Sequence, residues 1–251
     1  MPLVITPLED IPLIQKGDDL PKIILQSLKR MHIILQDGDL LVFAQKIVSK
    51  SEGRQIYLPD VTPSSKAKQL AAETDKDPRL VEMILRESKK VLRIRQGLII
   101  VEHRLGFICA NAGIDHSNVA GSDEWILLLP ENPDASAEVL RCALEQESGV
   151  KLGVLIIDSH GRAWRHGTVG ITIGLSGCPG LVDRRGEIDL FGYEMKVTQV
   201  GASDELAAAA SLMMGQVAEG TPVVHVRGFP YTLREASLNE LLRPEEQDLF
   251  R

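Results

Sequence analysis

The sequence predicts an α+β protein, and three observations carry that prediction. Apolar runs of strand length, such as LVITPL, LLVFAQ, GVLIID and TPVVHV, are spread over the whole chain. Stretches with helical periodicity lie among them, but the two do not alternate in the regular βαβ rhythm of a parallel sheet. No internal repeat, low-complexity tract or linker breaks the 251 residues, a length that holds one large domain or two small ones.

Taken in order, LVITPL is an opening strand. A helix follows in LPKIILQSLKR, with Asp18 or Asp19 as its cap and Pro21 in its first turn. DGD at 37–39 is a turn, and LLVFAQKIVSK reads as a buried strand that gives out into polar residues. The stretch TPSSKAKQLAAETDKDPRLVEMILRESKKVLR is expected to hold two helices, the first capped by Thr62 or Ser64 and the second opened by Pro78. GLIIVEH and LGFICA form a hairpin around His103 and Arg104, and NAGIDHSN is a Gly/Asn/Asp loop. WILLLP is a short strand, and SAEVLRCALEQES is a helix that Gly149 ends. KLGVLIID and WRHGTVGITIG are strands, GLSGCPGLVDRRGEIDLFGYE is rich in loops, and MKVTQV is a strand. ASDELAAAASLMMGQ is a helix that closes near Gly215, and TPVVHVRGF is the last strand.

Composition excludes several classes of function. Aromatic residues make up 4% of the chain, too few for a surface that stacks nucleic-acid bases. A formal charge of −7 argues against a general polyanion binder, while leaving room for a local basic pocket. Cys109, Cys142 and Cys178 are widely spaced and read as reduced thiols. The N-terminus lacks the basic and apolar regions of a signal peptide. No apolar run approaches the roughly 20 residues that span a bilayer. A soluble, cytoplasmic protein with no nucleic-acid or membrane partner is expected.

The chain has no GxxxxGK[ST], HExxH or GxSxG motif, and no glycine fingerprint behind its first strand. Its candidate chemistry lies elsewhere. NAGIDHSN offers Asn111, Asp115, Ser117 and Asn118 as oxygen donors on a bend, a set suited to a hard cation or a phosphate. The same residues also suit a plain turn that bonds its own backbone. GVLIID carries Asp158 and Ser159 where its apolar run stops, and loops at strand ends line clefts. Two acids at separate strand–loop junctions suggest a shared Mg or Mn ion. His160 and His166 lack the spacing and cysteine partner of a zinc site. Arg162 and Arg165 could grip a phosphate or carboxylate, or could simply be solvated at the end of a hairpin. Lys46 and Lys50, just past LLVFAQ, could neutralise a polyphosphate or lie on the surface. In MGQVAEGT, two glycines flank Gln216 and Glu219, so that backbone could approach a ligand.

Five segments occur in order: IPLIQKGDDL, AQKIVSKSEGR, NAGIDHSNV, DSHGRAWRHGTVGITIG and DELAAAASLMMGQ. Together they resemble the coenzyme F420-0:L-glutamate ligase family, the GTP-dependent γ-glutamyl ligases of deazaflavin cofactor synthesis. The resemblance runs from Leu3 to about Phe229. It implies a single ligase domain over 1–251, with two sub-domains as a variant, and no nitroreductase-like extension. It also implies an uncommon mixed-sheet α+β fold and an intertwined homodimer. The implied substrates are F420-0, L-glutamate and GTP, with two divalent cations (Mg or Mn) and room for a monovalent cation such as K.

Carried over by resemblance, Asp115 and Asp158 match a first metal site, and Ser159 and Gln216 a second. The GTP contacts would be Ile11, Pro12, Leu13, Ile14, Gln45, Lys46, Lys50 and Asn118, with the run Met214, Gly215, Gln216, Val217, Ala218, Glu219, Gly220 and Thr221. Ser159 stands where Thr is common, which keeps the hydroxyl. Gln216 stands where some relatives have Glu, which removes one negative charge from the second site. No side-chain nucleophile is implied, because the substrate carboxylate itself is phosphorylated. Two alternatives remain open at this point: a GTP-dependent amino-acid ligase with another carboxylate acceptor, and a GTP-binding sensor without turnover.

Overall fold

The computed structural model describes residues 2–119 and 121–249. Among them the strands are β1 (Val4–Pro7), β2 (Leu40–Ala44), β3 (Gln55–Tyr57), β4 (Ser88–Arg95), β5 (Leu98–His103), β6 (Ile108–Ala110), β7 (Trp125–Leu127), β8 (Gly153–Arg162), β9 (Arg165–Ser176), β10 (Val182–Asp183), β11 (Gln199–Val200) and β12 (Val223–Arg227). The α-helices are α1 (Leu20–Arg30), α2 (Gln45–Ser51), α3 (Ser65–Thr74), α4 (Pro78–Arg86), α5 (Pro133–Ser148) and α6 (Ala202–Met214). The mixed α+β class holds.

The main sheet has the order β1-β12-β2-β8-β9. Only β2 and β8 run parallel; the other neighbours in it are antiparallel. The apolar runs of β2 and β8 are continuous because both faces are covered. Leu41, Phe43, Val154 and Ile156 point to one side, where they pack with Ile24 and Leu28 of α1 and Ala137, Leu140 and Leu144 of α5. Leu40, Val42, Leu155 and Ile157 point to the other side, against Leu206, Ala207 and Ala210 of α6. Gly170 permits that second contact, since a Cβ there would meet the Ala207 carbonyl oxygen at 2.5 Å. A three-stranded sheet, β4-β5-β6, and the β3-β7 pair flank this body.

The helix ends follow the local signals. The Asp19 carboxylate accepts from Lys22 N at 3.1 Å, and Ser64 Oγ from Ala67 N at 3.2 Å. Pro78 opens α4 behind the Asp77 cap, and Gly149 ends α5 with φ 75°.

Four segments differ from the sequence reading. QKIVSK is helix rather than trailing strand. The ladder stops at Ala44, whose amide bonds Pro222 O at 2.8 Å, and α2 then buries Gln45, Ile47, Val48 and Ser49. SKKVLR is strand rather than helix, because β4 pairs along β5 from Ser88↔His103 to Arg95↔Leu98. β8 does not end at Asp158; it runs on to Arg162 with β9 as its partner. The loop-rich stretch and MKVTQV form one irregular hairpin, joined by β10, β11 and the Ile188↔Glu194 bridge.

Candidate active site

β2 stops at Ala44, opposite Ile157, while β8 and β9 continue outward as a two-stranded ribbon. One edge of β8 is therefore released from the sheet just where its buried apolar run gives way to Asp158. Alternation fixes what each face receives. Asp158 and His160 continue the face of Val154 and Ile156, whereas Ser159 lies opposite Gly170, on the face covered by α6.

On the first face Asp158 meets Asp115. The Asp115 backbone is fixed by β7: its N–H donates to Leu127 O at 3.0 Å, and its C=O accepts from Leu127 N at 2.9 Å. Gln45 Nε2 donates to Asp115 Oδ2 at 2.7 Å, and Ser49 Oγ donates to Gln45 Oε1 at 2.9 Å, which sets the amide's orientation. Lys46 Nζ lies 3.4 Å from Asp115 Oδ1 and bonds Ser117 Oγ at 2.9 Å and Ser117 O at 3.2 Å. Even so, burial and then the charge of Asp158 push the Asp115 carboxyl up to about 6. The two carboxylates crowd one another. Lys50, one turn after Lys46, is held below the usual lysine range by burial and then by the Lys46 charge. Beneath the acids, burial and then Asp158 push the Cys109 thiol up to about 12, so it stays protonated.

On the second face Ser159 Oγ donates to Gln216 Oε1 at 2.9 Å, and Gln216 Nε2 reaches Ser211 Oγ at 3.3 Å. The run Met214–Thr221 leaves the end of α6 and returns beside Ala44 through Pro222. Asn118 Nδ2 donates to Val217 O at 2.8 Å and so ties this run to the Asp115 loop. Glu219 accepts from Val217 N at 2.8 Å, and Thr221 Oγ1 donates back to Met214 O at 3.2 Å.

The structure thus gathers Gln45, Lys46, Asp115, Asn118, Asp158, Ser159, Gln216 and their loops at the carboxyl ends of the parallel pair β2 and β8, with Lys50 one turn along α2 from Lys46. It divides the four sequence-derived metal candidates into two pairs on opposite faces of β8. Gln45 is 1% exposed, and its side chain faces Asp115 and Ser49. Ile11, Pro12, Leu13 and Ile14 lie between β1 and α1; Ile14 is in the core and Leu13 is exposed. No hydrogen bond among the described residues ties them to the acid pair; the segment after them meets α2 at its far end, where the Gly17 amide bonds Ser51 O. Arg162 and Arg165 are exposed at the hairpin end, with Arg162 donating to His166 O at 3.1 Å. Sequence reasoning weighed one neighbour of the acids only as a zinc ligand and set it aside. His160 is buried beside Asp158, and the signal was its spacing of two from that acid on a strand. Among the described residues no three His, Cys, Asp or Glu side chains converge as a metal set.

The fold and the site define a mixed α+β protein in which an acid pair meets a lysine at the strand ends. The chain belongs to the F420-0:gamma-glutamyl ligase family, whose sequence profile matches residues 9–228. It is 46% identical to a coenzyme F420:L-glutamate ligase of Methanothermobacter thermautotrophicus, over 97% of this chain and 96% of the relative. The protein of the same name from Methanopyrus kandleri is 45% identical, over 97% of each chain. That of Methanocaldococcus jannaschii is 45% identical over 86% of each. No helix among the described residues is long and apolar enough to cross a membrane.

Proposed function

We propose that this chain joins L-glutamate to the F420-0 precursor in coenzyme F420 biosynthesis, using GTP and divalent cations. The activity named for its relatives supports the reaction. The observation that carries the reading is the pair Asp115 and Asp158, whose charges oppose one another, with Lys46 against Asp115. Two acids held close with a raised carboxyl are what a cation site presents before a cation relieves the repulsion. Carboxylate, hydroxyl and amide oxygens form a donor set for a hard cation. Asp115 and Asp158 would hold one ion, and Ser159 and Gln216 would take part in holding the second. When bound, such ions neutralise the negative charge of the phosphates.

In this reading a carboxylate oxygen of the acceptor attacks the γ-phosphorus of GTP, and the bond to GDP breaks. The acyl phosphate carries the leaving group that a carboxylate lacks. The glutamate nitrogen then attacks the acyl carbon, the C–O bond to phosphate breaks, and the nitrogen loses a proton. Lys46 and Lys50 hold anionic oxygens as point charges. The Met214–Thr221 run and Asn118 form one wall, joined by the Asn118–Val217 hydrogen bond. The protein's part is positioning and charge, as in phosphoryl transfer generally.

The test combines phosphate release with mass spectrometry of the product. GTP, Mn²⁺ or Mg²⁺, L-glutamate and F420-0 should together give a product heavier by one or more glutamyl units. A mass gain on a different carboxylate alone would move the assignment to another acceptor. Metal-dependent GTP binding with no mass gain on any acceptor would leave a sensor.

We also infer a homodimer. The hairpin between β10 and β11 exposes Leu190 at 99% and Phe191 at 96%, with Ile188, Tyr193 and Val197 beside them. Five exposed apolar side chains between 188 and 197 mark an interaction surface. Light scattering should give twice the chain mass for the wild type and the chain mass for a Leu190→Asp/Phe191→Asp variant; a wild-type monomer would refute the dimer.

A further inference from the structure

We propose that His160 is the positioning residue of the Asp158 carboxylate, a role that rests on the cation-holding reading of the acid pair. The residue lies on the same face of β8 as Asp158 but is only 6% exposed, so its ring is sealed from solvent beneath that acid. Its ring is wedged against Phe107, with centroids 5.3 Å apart and tilted by 58°. Phe107 in turn stacks on the buried ring of His103 at 5.0 Å and 3°. A histidine sealed among rings in this way makes no contact with reactants. Any effect it has on them passes through a neighbour.

That neighbour is Asp158. His160 Nε2 lies 2.9 Å from Asp158 Oδ2, already a hydrogen-bond distance. The angles miss the alignment of a bond, and among the described residues neither ring nitrogen of His160 has a hydrogen-bond partner. A buried polar group left unpaired destabilises the fold. For fold stability alone, an apolar side chain of similar volume would serve this position better. Function accounts for the nitrogen. With Nε2 against Oδ2, Asp158 has one oxygen backed from inside and the other left for the cleft. Carboxylates that hold cations are generally fixed by such partners, which set their orientation.

The other acid also has a buried side-chain nitrogen against one oxygen, there in a formed hydrogen bond. Asp115 has Gln45 Nε2 against its Oδ2 at 2.7 Å, with the amide orientation locked by Ser49. Each acid therefore has one oxygen backed by a buried side-chain nitrogen, from α2 for Asp115 and from β8 for Asp158. The two devices come from unrelated parts of the chain and meet only at this pair.

The test uses the full chain and Mn²⁺ alone, with affinity read by isothermal titration and by the electron paramagnetic resonance of free Mn²⁺. Asp158→Asn reports on the cation reading and should abolish binding at the acid pair. His160→Met, apolar and of similar volume, should weaken Mn²⁺ binding roughly ten- to hundredfold while Tm is unchanged or raised. His160→Gln keeps a nitrogen near the Nε2 position and should recover most of the affinity. His160→Asn, whose nitrogen falls at the Nδ1 position, should not. Wild-type affinity in His160→Met would overturn the positioning role and leave the cation reading standing. If His160→Met fails to fold, equal affinities for the Gln and Asn variants would overturn the role just as well. An Asp158→Asn chain that binds Mn²⁺ like the wild type would remove the cation reading, and the positioning role with it.

Discussion

A buried acid stands at the amino end of β2 and a half-buried one beside its carboxyl end, and the two are treated in opposite ways. At the amino end, Asp39 accepts from Arg227 Nη2 at 2.6 Å, Arg227 Nε at 2.9 Å and Gln36 N at 2.9 Å, with His225 Nε2 at 2.8 Å. Burial works to raise its carboxyl, but the bonds from Arg227 and then His225 outweigh it and hold the group below the usual range. At the carboxyl end, Asp115 has one amide donor, an off-centre lysine and a second acid, and its carboxyl stands at about 6. A saturated acid locks strands together. An undersupplied one keeps coordination free for a ligand, and its raised carboxyl marks a functional site.

The strongest way to break this contrast is to remove the undersupplied pair. Asp158→Ala should lower turnover by on the order of a thousandfold or more, about 4 kcal/mol in the transition state, with Tm changed little. A kinetic assay beside a thermal melt decides it. An active Asp158→Ala enzyme would end the catalytic reading of this end of the sheet.

Asp39→Asn should show the reverse profile. It leaves Arg227 and His225 without their anion in a site 1% exposed, so a loss of roughly 3 kcal/mol is expected. Residual folded enzyme should turn over at the wild-type rate. A stable Asp39→Asn chain with impaired turnover would place the acid in the chemistry and dissolve the contrast.

How much of this was legible in the sequence follows from range. Signals within a few residues were readable: Asp19, Ser64 and Pro78 at helix starts, and Gly149 at a helix end. Asp115 and Asp158 stood out as acids beside apolar runs. The Asp39 lock could not be read, because His225 and Arg227 lie 186 and 188 residues away. Helix α2 was hidden by its seven-residue length, too short for periodicity to separate from the strand before it. Asp158 and Ser159 were given to different metal sites by resemblance alone, and strand alternation, which sends them to opposite faces, is the physical reason they separate. That alternation was legible. What was not is that β2 stops at Ala44, which opens both faces of β8 at the same level.

The smallest expected effect is also the sharpest test of the comparison, because the two acids predict opposite responses to pH in the cation-free protein. Asp39 has a depressed carboxyl, so its contribution is present above the unfolded value near 3.8 and is lost as pH falls through the folded value. Asp115 has a raised one, so its ionisation weakens the fold fully above about 6. That penalty is relieved as pH falls from about 6 towards 3.8, and below both values it vanishes. Asp115→Asn should therefore stabilise the cation-free chain at pH 7 by on the order of 1–2 kcal/mol, even as it abolishes turnover. Urea titrations from pH 7 to pH 4 should show that advantage shrinking to nothing. Added Mn²⁺ should erase it at pH 7, because binding stabilises only the wild type. An Asp115→Asn chain that is less stable than wild type at pH 7 would mean the acid is structurally satisfied after all, like Asp39 at the other end of the strand.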